Sequence, residues 1–234
     1  MMNNQSNAIQ TRRLSKTFGG CRVLREIDLQ ITSGECVALT GSNGAGKTTL
    51  LRCLAAITRP TTGEVDWFGQ GAAANPDHRR LVGFVAHESH LYAHLTLLEN
   101  LMFAARMCGV TEPAQRADKL LEQIGLRSWA NQQVRKISEG MRKRLALARA
   151  LIHDPRILLL DEPFSGLDAA SRDWLGGLLD QYRADGCAVC FATHSEEHSR
   201  RLADRTLILQ RGSLAAHHEA ATTAANENIL RYAV

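Results

Sequence analysis

Residues 35–54 read ECVALTGSNGAGKTTLLRCL, and this stretch decides the architecture. A short apolar run, Cys36 to Thr40, meets a glycine-rich loop, and leucines at helical spacing follow. Strand, loop and helix in that order are the setting in which G-x-x-x-x-G-K-[ST] cradles phosphate, and Gly41, Gly46, Lys47 and Thr48 fill its fixed positions. Such a loop folds tightly around oxygen atoms, so that backbone N–H groups from Ser42, Asn43, Gly44, Ala45 and Thr49 are expected to aim at phosphate. Lys47 is expected to reach the β- and γ-phosphates, and the Thr48 hydroxyl to ligate Mg²⁺. A glycine-rich turn before an ordinary helix is the plain alternative, and the flanking strand and helix argue against it.

Upstream, IQTRRLSKTF and VLREIDLQI alternate apolar and polar positions about the turn at Gly19 and Gly20, which predicts an antiparallel opening sheet. Downstream, Pro60 and Gly63 close the first helix. From about Glu88 to Leu151 the pattern is helical; Pro113 suits a first turn, Gly125 a stop, and Ala117, Leu120, Leu121 and Ile124 share one face. Strand-like runs then return as RILLLDE, CAVCFATH and RTLILQRG, with a helical segment from Trp174 to Tyr182 between the first two. The expectation is an α/β chain with a mixed, mainly parallel sheet covered on both faces, an antiparallel N-terminal β subdomain and a helical insertion. Its divisions are a disordered 1–7, a core in two parts at 8–87 and 152–213, the insertion at 88–151 and a tail at 214–234.

RILLLDEP puts Asp161 and Glu162 at the carboxyl end of an apolar strand, where ligands of open α/β sheets gather. Asp161 is expected to hold Mg²⁺ or its waters, and Glu162 to orient or deprotonate a water facing the γ-phosphate. Acids that merely cap the strand are the bland reading, and the phosphate loop outweighs it.

Bulk properties narrow the partners. Lys and Arg total 28 against 24 Asp and Glu, a net charge of +4 spread along the chain, without the dense basic stripe of a nucleic-acid binder. MMNNQSNAIQ has neither the positive flank nor the apolar stretch of a secretory signal, so a cytosolic location is expected. LTLLENLMFAARMCGV is broken by Glu99, Asn100 and Arg106 and is too interrupted to span a bilayer, so membrane contact must come through a partner. Cys187 and Cys190 form a C-x-x-C inside a strand-like run, where positions three apart point to opposite faces.

With these residues in place, the chain resembles an ABC ATPase over almost its whole length. The most specific mark is ISEGMRKRLALARALIHDPRILLLDEP, in which Ser138 and Gly140 match the family's signature motif. Ser138 is a good N-cap for the helix that follows, and in the family its positive end faces a phosphate held by the opposing protomer. Glu139 and Met141 depart from the usual Gly and Gln; Glu139 is expected to point away, and Arg142, Lys143 and Arg144 to form a solvated helix face. The resemblance further implies that Phe18 stacks on adenine, that Ser165 to Asp168 contact the opposing protomer, and that His194 donates to the γ-phosphate. His87 stands where most members carry a glutamine that senses Mg²⁺ and the membrane partner.

What this implies is ATP hydrolysis with ATP and Mg²⁺, a second ABC ATPase subunit in a homo- or heterodimer, and an integral membrane transporter subunit whose cytoplasmic side the chain serves. His87, the ENLMFAAR segment and EGMRKRLALARAL resemble more narrowly the ATPases of haem or cytochrome c maturation exporters. A soluble ABC ATPase for complex assembly, of the iron–sulfur biogenesis type, is the alternative. DNA-repair members usually carry long coiled coils or zinc modules between phosphate loop and signature, and here that interval holds only a short helical stretch. His194, Glu197 and His198 also fit an H-x-x-E-H zinc pattern, but the first His ends a strand and lacks the helical context that pattern needs.

Overall fold

A computed structural model describes residues 6–72 and 76–219. The chain opens with β1 (Asn7–Phe18) and β2 (Cys21–Thr32), paired antiparallel about Gly19 and Gly20. β4 (Thr62–Trp67) and the short β5 (Gln70–Gly71) complete a sheet of order β2-β1-β4-β5. Between them run β3 (Cys36–Thr40) and α1 (Lys47–Leu54), the latter tied to β4 by the Trp67 indole, which donates to the Leu54 carbonyl at 2.9 Å.

A second sheet, of order β10-β9-β3-β8-β7-β6, combines β6 (Val82–Val85), β7 (Ile157–Asp161), β8 (Ala188–Ala192), β9 (Arg205–Gln210) and β10 (Ser213–Glu219) with β3. All its pairings are parallel except β9 with β10. Its strands alternate between two cores. Cys36, Ala38, Leu158, Leu160, Val189 and Phe191 face one, and Val37, Leu39, Ile157, Leu159, Cys190 and Ala192 face the other. Burial on both faces is why these strands read as continuous apolar runs. Cys187 and Cys190 fall in different cores, as their spacing in a strand requires.

One core packs against α1 and the antiparallel sheet. The other packs against α2 (Leu97–Met107), α3 (Pro113–Gln123), α4 (Glu139–Leu151) and α5 (Ala169–Ala184); α6 (Glu196–Leu202) follows β8. α2 begins with a capping box in which Thr96 accepts from the Glu99 amide at 3.1 Å and Glu99 from the Thr96 amide at 2.8 Å. No helix among the described residues is long and apolar enough to cross a membrane.

Several expectations need correction. The helical pattern starts at Leu97, and residues 88–96 are loop, because Thr96 is where a cap is available. α5 starts well before Trp174, since Asp168 caps it earlier, and ends two residues past Tyr182 at Ala184. The stretch taken as tail begins with β10, which pairs with β9, and Asn7 already belongs to β1. The rest of the expected disordered end, residues 1–5, and the tail beyond 219 lie outside the described residues.

Candidate functional site

The helix α1 starts directly at the glycine-rich loop. Its N-cap is Gly46, left-handed at φ 107°, with no side-chain cap and no acid in the first turn. The helix dipole and the first-turn N–H groups are therefore left without a protein anion, which is what an anionic ligand needs. Gly41 is required sterically as well: at φ +145° a Cβ would lie 2.3 Å from the Leu209 carbonyl oxygen. The Lys47 ammonium is folded back over the loop, donating to the carbonyls of Gly41 at 2.7 Å and Ser42 at 3.2 Å.

A cleft of about 650 Å³ opens in front of this loop, a size that suits a nucleotide. Asn43, Gly44, Ala45, Gly46, Lys47, Thr48 and Thr49 line it, and His87, Asp161 and Glu162 line its other side. Sequence spacing says nothing about that meeting; the parallel pairing of β6, β7, β8 and β3 produces it. Arg52, Glu88 and His90 also border the cleft, and no sequence signal marked them.

Asp161 is buried, and its Oδ2 has no hydrogen-bond partner. Burial raises its pKa, the adjacent Glu162 adds to the rise, and the Thr48 hydroxyl, His87 and Lys47 oppose it. A buried, unsatisfied carboxylate oxygen beside a threonine hydroxyl fits a hard divalent cation that takes oxygen ligands. No cluster of three or more His, Cys, Asp or Glu groups among the described residues could hold a metal by itself. Oxygens from a bound phosphate would have to complete such a shell.

Glu162 sits at φ 51°, in the left-handed region that a non-glycine residue adopts only when its surroundings impose it. Its amide donates to the Ala192 carbonyl at 3.1 Å, and its Oε2 lies 3.0 Å from His194 Nδ1. His194 is thus beside Glu162, whereas His198 stacks on Phe164 with centroids 4.7 Å apart, so the H-x-x-E-H histidines serve different neighbours.

Gly41, Ser42 and His194 are not among the lining residues but adjoin them, whereas Phe18, Ser138, Gly140 and Asp168 belong to other parts of the chain. Phe18 ends β1 with 49% of its surface exposed and Lys16 Nζ 4.7 Å above its ring, so it is not a core aromatic. Ser138 caps α4, its hydroxyl accepting from the Met141 amide at 3.3 Å. Gly140 has nothing within 4 Å of where a Cβ would stand, so this chain's own packing gives no reason for a glycine there. Asp168 caps α5 by accepting from the Ser171 amide at 2.8 Å, a bond that, with the Ser171 side chain, holds its carboxyl below the usual range.

The basic run on α4 departs from expectation. Glu139 is mostly exposed and paired with Arg142 at 3.0 Å. Lys143 and Arg144, however, are partly buried: Lys143 donates to the Ser165 carbonyl, and Arg144 donates to Ser171 Oγ at 2.9 Å while lying 4.8 Å over the Trp174 ring. Main-chain oxygens and an aromatic face accept the charges that a solvated surface would otherwise carry.

A family model described as ABC transporter matches residues 24–165, more than half of the chain. The chain belongs to the ABC transporter family. Within that family, a sulfate/thiosulfate import ATP-binding protein of Pectobacterium atrosepticum is 39% identical over 212 residues, covering 88% of this chain and 64% of the relative. Its counterpart in Bordetella parapertussis is 40% identical over 217 residues, covering 88% and 60%. The chain therefore spans less than two thirds of the length of these ABC relatives. Among solved structures, an ATP-binding subunit of an ABC transporter superposes with a TM-score of 0.84 at 28% identity, over 91% of this chain and 90% of that one. A dimeric bacterial ABC transporter cassette gives 0.84 at 29%, over 91% and 99%. The fold is that of a P-loop NTPase of ABC type, with one antiparallel sheet and one mixed, mainly parallel sheet.

Proposed function

We propose that this chain binds and hydrolyses ATP as one of two ABC ATPase subunits, homo- or heterodimeric, that drive a separate integral membrane transporter subunit from the cytoplasmic face. The observation that carries the reading is the convergence of the uncapped α1, Lys47, Thr48, Asp161 and Glu162 on one cleft. In this reading the loop amides from Gly41 to Thr49 hold the phosphates, and Lys47 exchanges its two carbonyl partners for β- and γ-phosphate oxygens. Thr48 and Asp161 would hold Mg²⁺, with His87 at the edge of its shell; the ion supplies neutralisation of phosphate charge when bound.

Glu162 accepts a proton from the attacking water as that water bonds to the γ-phosphorus and the bond to the β-phosphate oxygen breaks, giving ADP and inorganic phosphate. His194 holds Glu162 before substrate arrives and then turns to the γ-phosphate. Phe18, exposed on its strand end, stacks on adenine.

Support for a second copy comes from α4. Ser138 presents a capped helix N-terminus, and the unfilled space at Gly140 leaves room for a triphosphate from an opposing protomer, with Asp168 and its loop alongside. A related cassette has been solved as a dimer in a post-hydrolysis state bound to ADP and Pi.

Support for a membrane partner comes from the apolar surface beyond the His87 loop. Tyr92 is 51% and Phe103 43% exposed, and their rings meet edge to face at 5.1 Å, with Leu91 and Met102 partly buried beneath. Exposed aromatic anchors of this kind suit a helix from another chain, and they favour the transporter over the soluble assembly ATPase. The cargo stays outside the proposal. The narrower likeness to haem or cytochrome c maturation exporters rests on His87 and two segments, and the relatives above, named for sulfate/thiosulfate import, do not support it.

The test is Lys47→Ala, which removes the cation that offsets phosphate charge and is expected to weaken equilibrium ATP binding at least about tenfold. Equal affinity in variant and wild type overturns the nucleotide reading. Isolation of the chain from membranes with a multi-span protein separates the transporter from the assembly ATPase, which would bring down scaffold proteins only.

A further inference from the structure

The loop between β6 and α2 carries His87 at the cleft and Tyr92 on the outer surface. Beyond Tyr92 it is well fastened: Asn100 holds the Tyr92 main chain, the Arg135 amide donates to Ala93, Gln133 to His94 and the Val134 amide to Leu95. From His87 to Leu91 the situation differs. Among the described residues, the hydrogen bonds that reach this segment are two, and both come from Arg149 in the last turn of α4. Its Nη1 donates to the His90 carbonyl at 2.5 Å and its Nη2 to the Ser89 carbonyl at 2.7 Å.

The placement is costly enough to need a reason. Arg149 projects from a helix whose neighbours Leu145, Ala148 and Leu151 are fully buried, and no carboxylate lies within ion-pair distance of it among the described residues. Burial disfavours its charged form, with the Tyr92 side chain opposing that effect. A guanidinium is a planar fork, suited to gripping two adjacent carbonyls at once, which a lysine ammonium matches less well. His90, one of the two residues gripped, stands at φ 45°, a backbone conformation that persists only where the surroundings hold it.

We infer that Arg149 is a positioning residue that sets the His87 segment against the nucleotide cleft and ties its placement to the signature helix α4. The inference rests on the proposed role of His87 and goes beyond it. The same helix is capped by Ser138 and contacts the Ser165 carbonyl through Lys143, so movement of α4 carries the loops that hold His87 and Asp168 with it. Arg149 is not among the residues that line the cleft; it acts through main-chain oxygens of Ser89 and His90.

The experiment uses the full chain with Arg149→Gln, Arg149→Lys, His87→Ala and the Arg149→Gln/His87→Ala pair. Backbone NMR order parameters of residues 87–91 are expected to fall in Arg149→Gln while those of the core strands stay high. In steady-state hydrolysis, Arg149→Gln is expected to lower kcat by about tenfold to hundredfold, with equilibrium nucleotide affinity within about twofold of wild type. Arg149→Lys falls between, and carries the test if the glutamine variant does not fold. In the His87→Ala background, Arg149→Gln is expected to change kcat by less than about twofold, because two residues acting as one unit are not additive.

Unchanged order parameters at 87–91, losses that multiply in the double variant, or an affinity that falls in step with kcat each overturn the inference. Absence of hydrolysis by the wild type would overturn the ATPase reading instead. The NMR measurement would still decide whether Arg149 holds the loop.

Discussion

His194 Nδ1 lies 3.0 Å from Glu162 Oε2. An ionised carboxylate only accepts, so the ring proton on that side belongs to Nδ1, and in the neutral ring Nε2 is then an acceptor. To donate to a phosphate oxygen through Nε2, His194 must take up a second proton; to donate through Nδ1, it must release Glu162. His194→Ala is therefore expected to lower kcat by about a hundredfold while leaving ATP affinity nearly unchanged, read by steady-state turnover alongside equilibrium binding. A variant that turns over like wild type rejects the switching role.

Glu162→Gln keeps the size of the side chain and loses its basic oxygen. Binding of ATP is expected to persist, and hydrolysis to fall by about two to four orders of magnitude. The trapped species should run as a dimer on size exclusion with ATP and Mg²⁺. Only monomers, together with normal turnover, would remove both the base and the two-site arrangement.

Asn100 is buried within α2, where its amide donates to the carbonyls of Tyr92 at 3.1 Å and Thr96 at 2.9 Å and accepts from the Tyr92 amide at 2.9 Å. Replacing it with alanine strips partners from the Tyr92 main chain. The expected loss is about 2–3 kcal/mol of folding stability, since main-chain groups left unpaired in a part-buried place keep their desolvation cost. Urea unfolding of Asn100→Ala gives the value, and a midpoint equal to wild type would show that solvent replaces the lost bonds.

Tyr92 lies half exposed over Phe103, so a charge there leaves both cores untouched. Tyr92→Asp is expected to keep the unfolding midpoint and the nucleotide affinity while abolishing recovery with the membrane fraction. Continued co-sedimentation and transport would move the docking surface elsewhere. An unfolded variant would mean that the ring supports the helical face beneath it.

Much of the site was legible because its chemistry is local. The phosphate loop, Asp161 and Glu162 at a strand end, and the Ser138 cap each need only a few neighbouring residues in order. Arg144 illustrates the opposite case. Its neighbours in sequence are charged, which reads as a solvated face, yet Ser171 and Trp174 reach it from α5. Arg149 and Asn100 were equally silent, each a polar residue in an apolar helical pattern whose partners lie on a loop.

The sequence by itself determined the order of strand, loop and helix, the two-faced burial of the sheet and the residue types that meet phosphate, because periodicity and loop chemistry are encoded within a few turns of chain. The tertiary structure alone decided that Arg52, Glu88 and His90 border the phosphate cleft, that His194 holds Glu162, and that Arg149 fastens the His87 segment. Those relations depend on strand order and on hydrogen bonds between residues 32 and 60 positions apart, separations at which no local pattern in the chain records which groups will meet.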